Sequence, residues 1–218
     1  MRLDRLGERI KKLERENAFL KKQVKRLKSE AQTDGLTGLK NRFALIPDLL
    51  RIIKGEIPNR TRRKIQTFGV LMLDIDWFKE INDCYGHLTG DAVLRRAAQI
   101  IKASVKASAR RAEDDIYRFG GEEFLVILPF ADTAGTSLVG EKIRKNIAHN
   151  LIYDFPQIKK DRQSITVSIG GSTLLARKLL PIKGRRRLLD KTVRDADRFL
   201  YQAKGLGRNC TVIDGKKI

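Results

Sequence analysis

The chain has 218 residues, enough for one medium domain with a real core plus a short extension. Its hydrophobic content of 41% is ordinary for a globular protein; apolar runs such as Phe68–Leu73 are far too short to span a bilayer and no charged-then-apolar leader opens the chain, so a cytoplasmic protein with no membrane segment is expected. Lys+Arg 46 against Asp+Glu 26 gives a formal +20, which favours an anionic partner without choosing between nucleic acid, an acidic membrane surface and a nucleotide.

The first thirty residues carry apolar side chains at Leu3, Leu6, Ile10, Leu13, Leu20, Val24 and Leu27, with Asn17 filling the one gap. Steps that alternate three and four are the heptad signature of a coiled coil. With Leu3 as position a, leucines fill the d positions, and Ile10, Asn17 and Val24 fill a positions. This pattern favours a parallel pair, and an Asn at one a position fixes register and dimeric state at some cost in stability. Facing charges agree, with Arg9 opposite Glu14 and Glu16 opposite Lys21 in a parallel dimer. Each such exposed pair is worth only about 0.2–0.5 kcal/mol, so they select orientation more than they stabilise. The heptad stops near Thr33, and Asp34-Gly35-Leu36-Thr37-Gly38 breaks it with two glycines. The expected division is a coiled-coil dimerisation helix at 1–33 and a catalytic domain at 34–218, with Asp34 capping a helix that starts near Leu36.

From Phe68 an apolar run ends in Asp74-Ile75-Asp76. A buried strand ending this way delivers a carboxylate to the sheet edge, where a hard cation finds oxygen ligands. Asp74 and Asp76 are expected on opposite faces of the strand, with Asp74 and the Ile75 carbonyl as the metal-facing pair. Asn82 and Asp91 then supply an amide and a carboxylate suited to a guanine edge, whose adjacent N1 and N2 donors a carboxylate can accept. His87 between them reads as a polar residue near a turn. Two β-rich stretches flank Gly120-Gly121-Glu122-Glu123, so a two-residue hairpin with positive φ at the glycines is expected. Adjacent acids on a tight turn repel each other, and their placement points to a cation. Cys84 and Cys210 show no metal-type spacing and read as free thiols.

These segments resemble the GGDEF family of diguanylate cyclases, with the signature here as Gly120-Gly121-Glu122-Glu123-Phe124. The resemblance runs through DGLTGLKNR at 34–42, DIDWFKEIND at 74–83, GHLTGD at 86–91, VSIGG at 167–171 and DADRFLYQAKGLGRN at 195–209. It implies an enzyme that condenses two GTP into cyclic di-GMP and two pyrophosphates across a homodimer. Asp74, the Ile75 carbonyl, Glu122 and Glu123 would hold Mg²⁺, with Mn²⁺ as the alternative, and one glutamate would help activate the 3′-hydroxyl. Asn82 and Asp91 would read guanine with His87 beside the nucleotide. Phe78 and Lys79 would offer backbone amides to the phosphates, and Lys204 and Arg208 would clamp the triphosphate. An Arg-x-x-Asp ahead of the signature, Arg111 to Asp114, resembles the family's product-inhibition motif, with Arg144 as a candidate third member. Phe199, where a small residue is usual, is expected to be absorbed by packing.

The implied fold is α/β, a palm-like domain with a central, mostly antiparallel sheet. Strands are expected near 68–75, 115–119, 123–129, 164–171 and 210–214. Helices are expected near 2–31, 36–53, 78–82, 89–107, 132–149 and 191–204, with 176–190 as a basic loop or anion-binding surface. Two rivals carry less weight. A degenerate relative that only binds GTP or cyclic di-GMP would have lost an acid that is intact here. Nucleic-acid binding is not expected, because it would interleave aromatic with basic residues and aromatics are only 6%.

Overall fold

A computed structural model describes residues 2–54, 67–108, 115–159, 164–175 and 182–218. The chain divides into two compact units, Met1–Thr33 and Asp34–Ile218.

The first unit is one continuous helix, α1 (Arg2–Ala31). Its seam residues Ile10, Leu13, Leu20, Val24 and Leu27 are 49% to 61% exposed on the single chain. An apolar stripe of this spacing on a lone helix is what a second helix covers.

The second unit is built on a seven-stranded sheet. Its strands are β1 (Lys40–Asn41), β2 (Thr67–Ile75), β3 (Asp115–Arg118), β4 (Glu123–Pro129), β5 (Val167–Leu175), β6 (Thr211–Ile213) and β7 (Lys216–Lys217). They lie in the order β1-β3-β4-β2-β5-β6-β7. Only β1–β3 and β5–β6 pair in parallel; the other neighbours are antiparallel. The helices are α2 (Arg42–Lys54), α3 (Phe78–Tyr85), α4 (His87–Ser108), α5 (Thr133–Asn150), the short α6 (Pro156–Lys159) and α7 (Ile182–Gly205), with a 3₁₀ turn at Leu151–Asp154.

β2 is apolar along its length because both of its faces are covered. Leu71 and Leu73 pack with Phe124, Val126 and residues of α4 and α5. Val70 and Met72 pack with Leu125 and Ile127 under Ala44, Leu45 and Leu49 of α2 and Ala196 and Leu200 of α7. The helix α7 crosses β5 so closely that a Cβ on Gly170 would stand 2.0 Å from the Leu200 amide nitrogen. Phe199 is absorbed as expected, 7% exposed in a small cluster with Ala203, Cys210 and Val212.

Several boundaries differ from expectation for identifiable reasons. No helix starts at Leu36. Asp34 caps a turn instead, accepting from the Thr37 amide at 2.8 Å and its hydroxyl at 2.6 Å, and α2 begins at Arg42 with Asn41 accepting from the Phe43 amide. The strand expected at 164–171 lies at Val167–Leu175, set by its pairing with all of β2. Residues 182–190, expected as a loop, form the first turns of α7, and 176–181 lie outside the described residues. No helix of the described residues is long and apolar enough to cross a membrane.

Candidate active site

Asp74 sits at the end of β2, 5% exposed, with its cross-strand neighbours Glu123 on β4 and Ser168 on β5. Residues two apart on a strand share a face, so the expectation that Asp74 and Asp76 oppose each other is incorrect. Both lie on the α7 side, and their partners separate them. Asp76 is saturated by the Thr166 hydroxyl at 2.7 Å, the Ser168 hydroxyl at 2.6 Å and the Asn209 amide at 3.0 Å, and locks the end of α7 to the sheet. Among the described residues, Asp74 is bonded only to the Lys204 ammonium, at 2.8 Å. Burial, and behind it the charges of Glu122 and Glu123, push its pKa up to about 6 against the pull of Lys204.

The turn before β4 is not a two-residue hairpin. Phe119 N–H donates to the Glu123 carbonyl at 2.8 Å and Gly120 N–H to the same oxygen at 3.4 Å, so Gly120, Gly121 and Glu122 form the loop. Neither glycine takes a left-handed conformation. A Cβ on Gly120 would lie 2.5 Å from the Glu123 carboxylate, which folds back over the turn and would have to swing aside. Burial, then the Asp197 carboxylate on α7, raise the Glu123 pKa. Asp197 is a fourth acid at the site that sequence reasoning missed, because only the packing of α7 brings it there.

Arg118 holds the turn in place. It donates to the Gly121 carbonyl through Nε at 3.1 Å and Nη2 at 2.8 Å, and pairs through Nη1 with Asp34 at 3.2 Å. Asp34 is thereby half-buried between Thr37 and Arg118. Burial alone would raise its pKa, but the Thr37 hydrogen bonds and the Arg118 charge outweigh it and the net shift is downward.

The phosphate-binding candidates gather beside Asp74. Trp77 adopts a left-handed conformation (φ 61°) ahead of α3, whose first-turn amides at Phe78 and Lys79 have no intrahelical partner and receive no side-chain cap from Trp77. Such a helix start suits an anion. The Arg208 guanidinium stacks on the Trp77 ring, 3.7 Å from its centroid, so Trp77 aims a cation at the same place. Nothing in the sequence marked Trp77 beyond its place in the motif. On α3, the Asn82 side-chain oxygen lies so close over Gly90 that a Cβ there would meet it at 1.9 Å, and Asp91 follows Gly90 in α4. Both are half-buried, and His87 is exposed at the first residue of α4.

Asp74, Glu122 and Glu123 are hard anionic oxygen donors of the kind divalent cations favour, and Lys204 is the cation that balances Asp74. Among the described residues no three carboxylates converge into a ready-made cage. Arg111 and Asp114 lie outside the described residues. Arg144, the candidate third member of that site, forms a two-pronged pair with Glu141 at 2.8 and 2.9 Å and donates to Asn209.

A family model described as "Diguanylate cyclase, GGDEF domain" matches residues 31–210. Diguanylate cyclase A of Treponema denticola is 36% identical over 181 residues, which cover 81% of this chain and 43% of that protein. The chain thus spans less than half the length of that relative. Among solved structures, the coiled coil and GGDEF domain of DgcB from Caulobacter crescentus, in complex with c-di-GMP, matches with a TM-score of 0.69 at 26% identity, covering 95% of this chain and 98% of that one. The active GGEEF domain of a diguanylate cyclase from Vibrio cholerae matches with a TM-score of 0.61 at 27% identity, covering 79% of this chain and 96% of that one.

Proposed function

The chain belongs to the GGDEF family of diguanylate cyclases, and from that premise we propose that it condenses two GTP into cyclic di-GMP and two pyrophosphates as a homodimer. The observation that carries this reading is the group of acids at the β2 end, Asp74, Glu122 and Glu123, faced by Lys204 at 2.8 Å from Asp74. That is the equipment of a phosphoryl-transfer site, and a member that had become a pure receptor would not keep all three acids.

In this reading Asp74, the Ile75 carbonyl, Glu122 and Glu123 hold Mg²⁺, which lowers the pKa of the 3′-hydroxyl and offsets charge on the phosphates. Asn82 and Asp91 hold the guanine edge, with His87 beside the nucleotide. The Phe78 and Lys79 amides take phosphate oxygens at the start of α3, and Lys204 and Arg208 flank the triphosphate, Arg208 oriented by Trp77. Each domain binds one nucleotide, but the product joins two, so the pockets must face each other. A parallel coiled coil formed by α1 places both domains at the same end and raises their local concentration. Arg111 and Asp114 are proposed to bind cyclic di-GMP as a feedback inhibitor.

The test is to incubate the purified protein with GTP and Mg²⁺ and separate the nucleotides by chromatography, beside an Asp74→Ala, Glu122→Ala double variant. Cyclic di-GMP and pyrophosphate from the first and neither from the second are expected. A folded dimer that binds GTP and makes no product would refute the reading, and a time course that slows with accumulating product supports the feedback site.

A further inference from the structure

The acidic turn has a second side. A cleft of about 310 Å³ opens beside it, lined by Arg42, Phe43, Arg118, Phe119, Gly120 and Gly121. Its two arginines differ in their commitments. Arg118 is taken up by Asp34 and the Gly121 carbonyl. Arg42, in the first turn of α2, is exposed, and no carboxylate of the described residues pairs with it. Its guanidinium lies 5.2 Å from the centroid of the Phe43 ring, itself 66% exposed. A guanidinium resting on a ring is partly ordered in advance and presents its fork of donors outward, the arrangement that suits a phosphate.

Topology sets whose phosphate this is. In the sheet order β1-β3-β4-β2, the β3–β4 hairpin lies between Arg42, which follows β1, and Asp74 at the end of β2. The register aligns Asn41 with Arg118, Arg118 with Phe124 and Phe124 with Leu73. Three strand spacings, about 14 Å, therefore separate Asn41 from the strand that carries Asp74. The proposed phosphate groups of the same domain, Lys204, Arg208 and the start of α3, stand on the Asp74 side. Gly121 has nothing within 4 Å of where a Cβ would be, so the turn is open to an approaching partner.

We propose that Arg42 acts in trans, binding the α-phosphate of the nucleotide held by the opposing domain during its attack by the 3′-hydroxyl. This rests on the cyclase reading of the same site. The 3′-oxygen forms a bond to the α-phosphorus, the bond from that phosphorus to the β-phosphate bridging oxygen breaks, and pyrophosphate leaves with the electron pair. The hydroxyl proton passes to one of the turn glutamates. Negative charge grows on the α-phosphoryl oxygens and the leaving pyrophosphate, and the holding domain meets it from one side with Lys204 and Arg208. The turn bearing Glu122 and Glu123 has to border the surface where the two domains meet, and the cleft with Arg42 opens along that turn. Arg42 then supplies the opposite side, and each dimer uses its two copies once for each bond.

Full-length dimers with two different affinity tags, purified as heterodimers, separate trans from cis action. The readout is the rate of formation of the linear dinucleotide 5′-triphosphate, the product of the first bond. The Arg42→Ala homodimer is expected to be slowed about 100-fold, with Arg42→Lys intermediate. Pairing an Arg42→Ala chain with a Lys204→Ala chain puts both lesions on one phosphate if Arg42 works in trans, and leaves the other bond at close to the wild-type rate. Placing both substitutions in one chain opposite a wild-type chain then damages both bonds. The reverse pattern would show that Arg42 serves its own domain and overturn the proposal, as would an unchanged Arg42→Ala homodimer. A wild-type dimer that makes no dinucleotide at all would instead sink the cyclase reading, and the role of Arg42 with it.

Discussion

The adjacent glycines of β5 offer a controlled test of how packing sets the site. A Cβ on Gly170 would lie 2.0 Å from Leu200 N, 2.2 Å from Ala196 O and 2.6 Å from Leu200 Cα, all backbone atoms of α7. Ordinary contact begins at 3.4 Å, so Gly170→Ala requires α7 to retreat by more than 1 Å near its C-terminal end. Overpacking of this kind costs about 3 kcal/mol, or about 6–12 °C in Tm for a domain of this size. Lys204 lies one turn beyond Leu200 on the same helix, 2.8 Å from Asp74, and moves with it. A displacement of about 1 Å at a positioning group is worth about a 100-fold loss of kcat. Gly171→Ala is the control. Its Cβ would point to the other face, toward the ends of the Ile213 and Leu71 side chains at 2.3 and 2.8 Å, which can rotate aside. It should cost about 1–2 kcal/mol of stability and leave kcat nearly unchanged. Urea denaturation and cyclic di-GMP synthesis on both variants decide the matter. Equal effects on kcat, or a Gly170→Ala enzyme of normal rate, would refute the claim that α7 packing places Lys204.

Arg118→Ala removes a largely buried pair with Asp34 and both bonds to the Gly121 carbonyl; a loss of about 2–4 kcal/mol in denaturation and a lower kcat at unchanged GTP affinity are expected. Trp77→Ala takes away the ring on which Arg208 rests, and should raise the KM for GTP about 5- to 10-fold with little change in melting temperature. The Asp74 pKa rises from 3.8 to about 6 on folding, so the folded chain holds that proton more tightly than the unfolded one. The sign follows: with a chelator present, Asp74 makes stability fall as pH rises from about 4 to 6, and Asp74→Asn should flatten that slope, leaving the share of Glu123, whose pKa is also raised. At neutral pH the same variant should stabilise the protein by on the order of 2 kcal/mol while abolishing activity, which pH-dependent thermal denaturation measures directly.

Much of this protein was legible in one dimension because the signals were local. Heptad spacing is a property of one helix, and α1 runs unbroken through it. The apolar run of β2 is dense because both faces of the strand are buried, so burial alone marks it as central. Asp74, Glu122 and Glu123 stood out because acids at the end of such a strand and on a glycine turn are costly without a function. Tertiary structure decided what local pattern cannot encode. Whether Asp34 caps a helix or a turn depends on Arg118, 84 residues away. Asp76 is set apart from the metal in sequence on a mistaken strand geometry, and only the Thr166 and Ser168 hydroxyls and the Asn209 amide show it to be a clamp. Asp197 joins the site through the docking of α7, and Trp77 through the Arg208 guanidinium stacked on its ring. The sequence by itself determined which residues carry charge and where the chain is obliged to turn or be buried. The fold decided which of those charges meet, because electrostatic and hydrogen-bonding partners are set by distance in space, and that distance is fixed only when the helices close on the sheet.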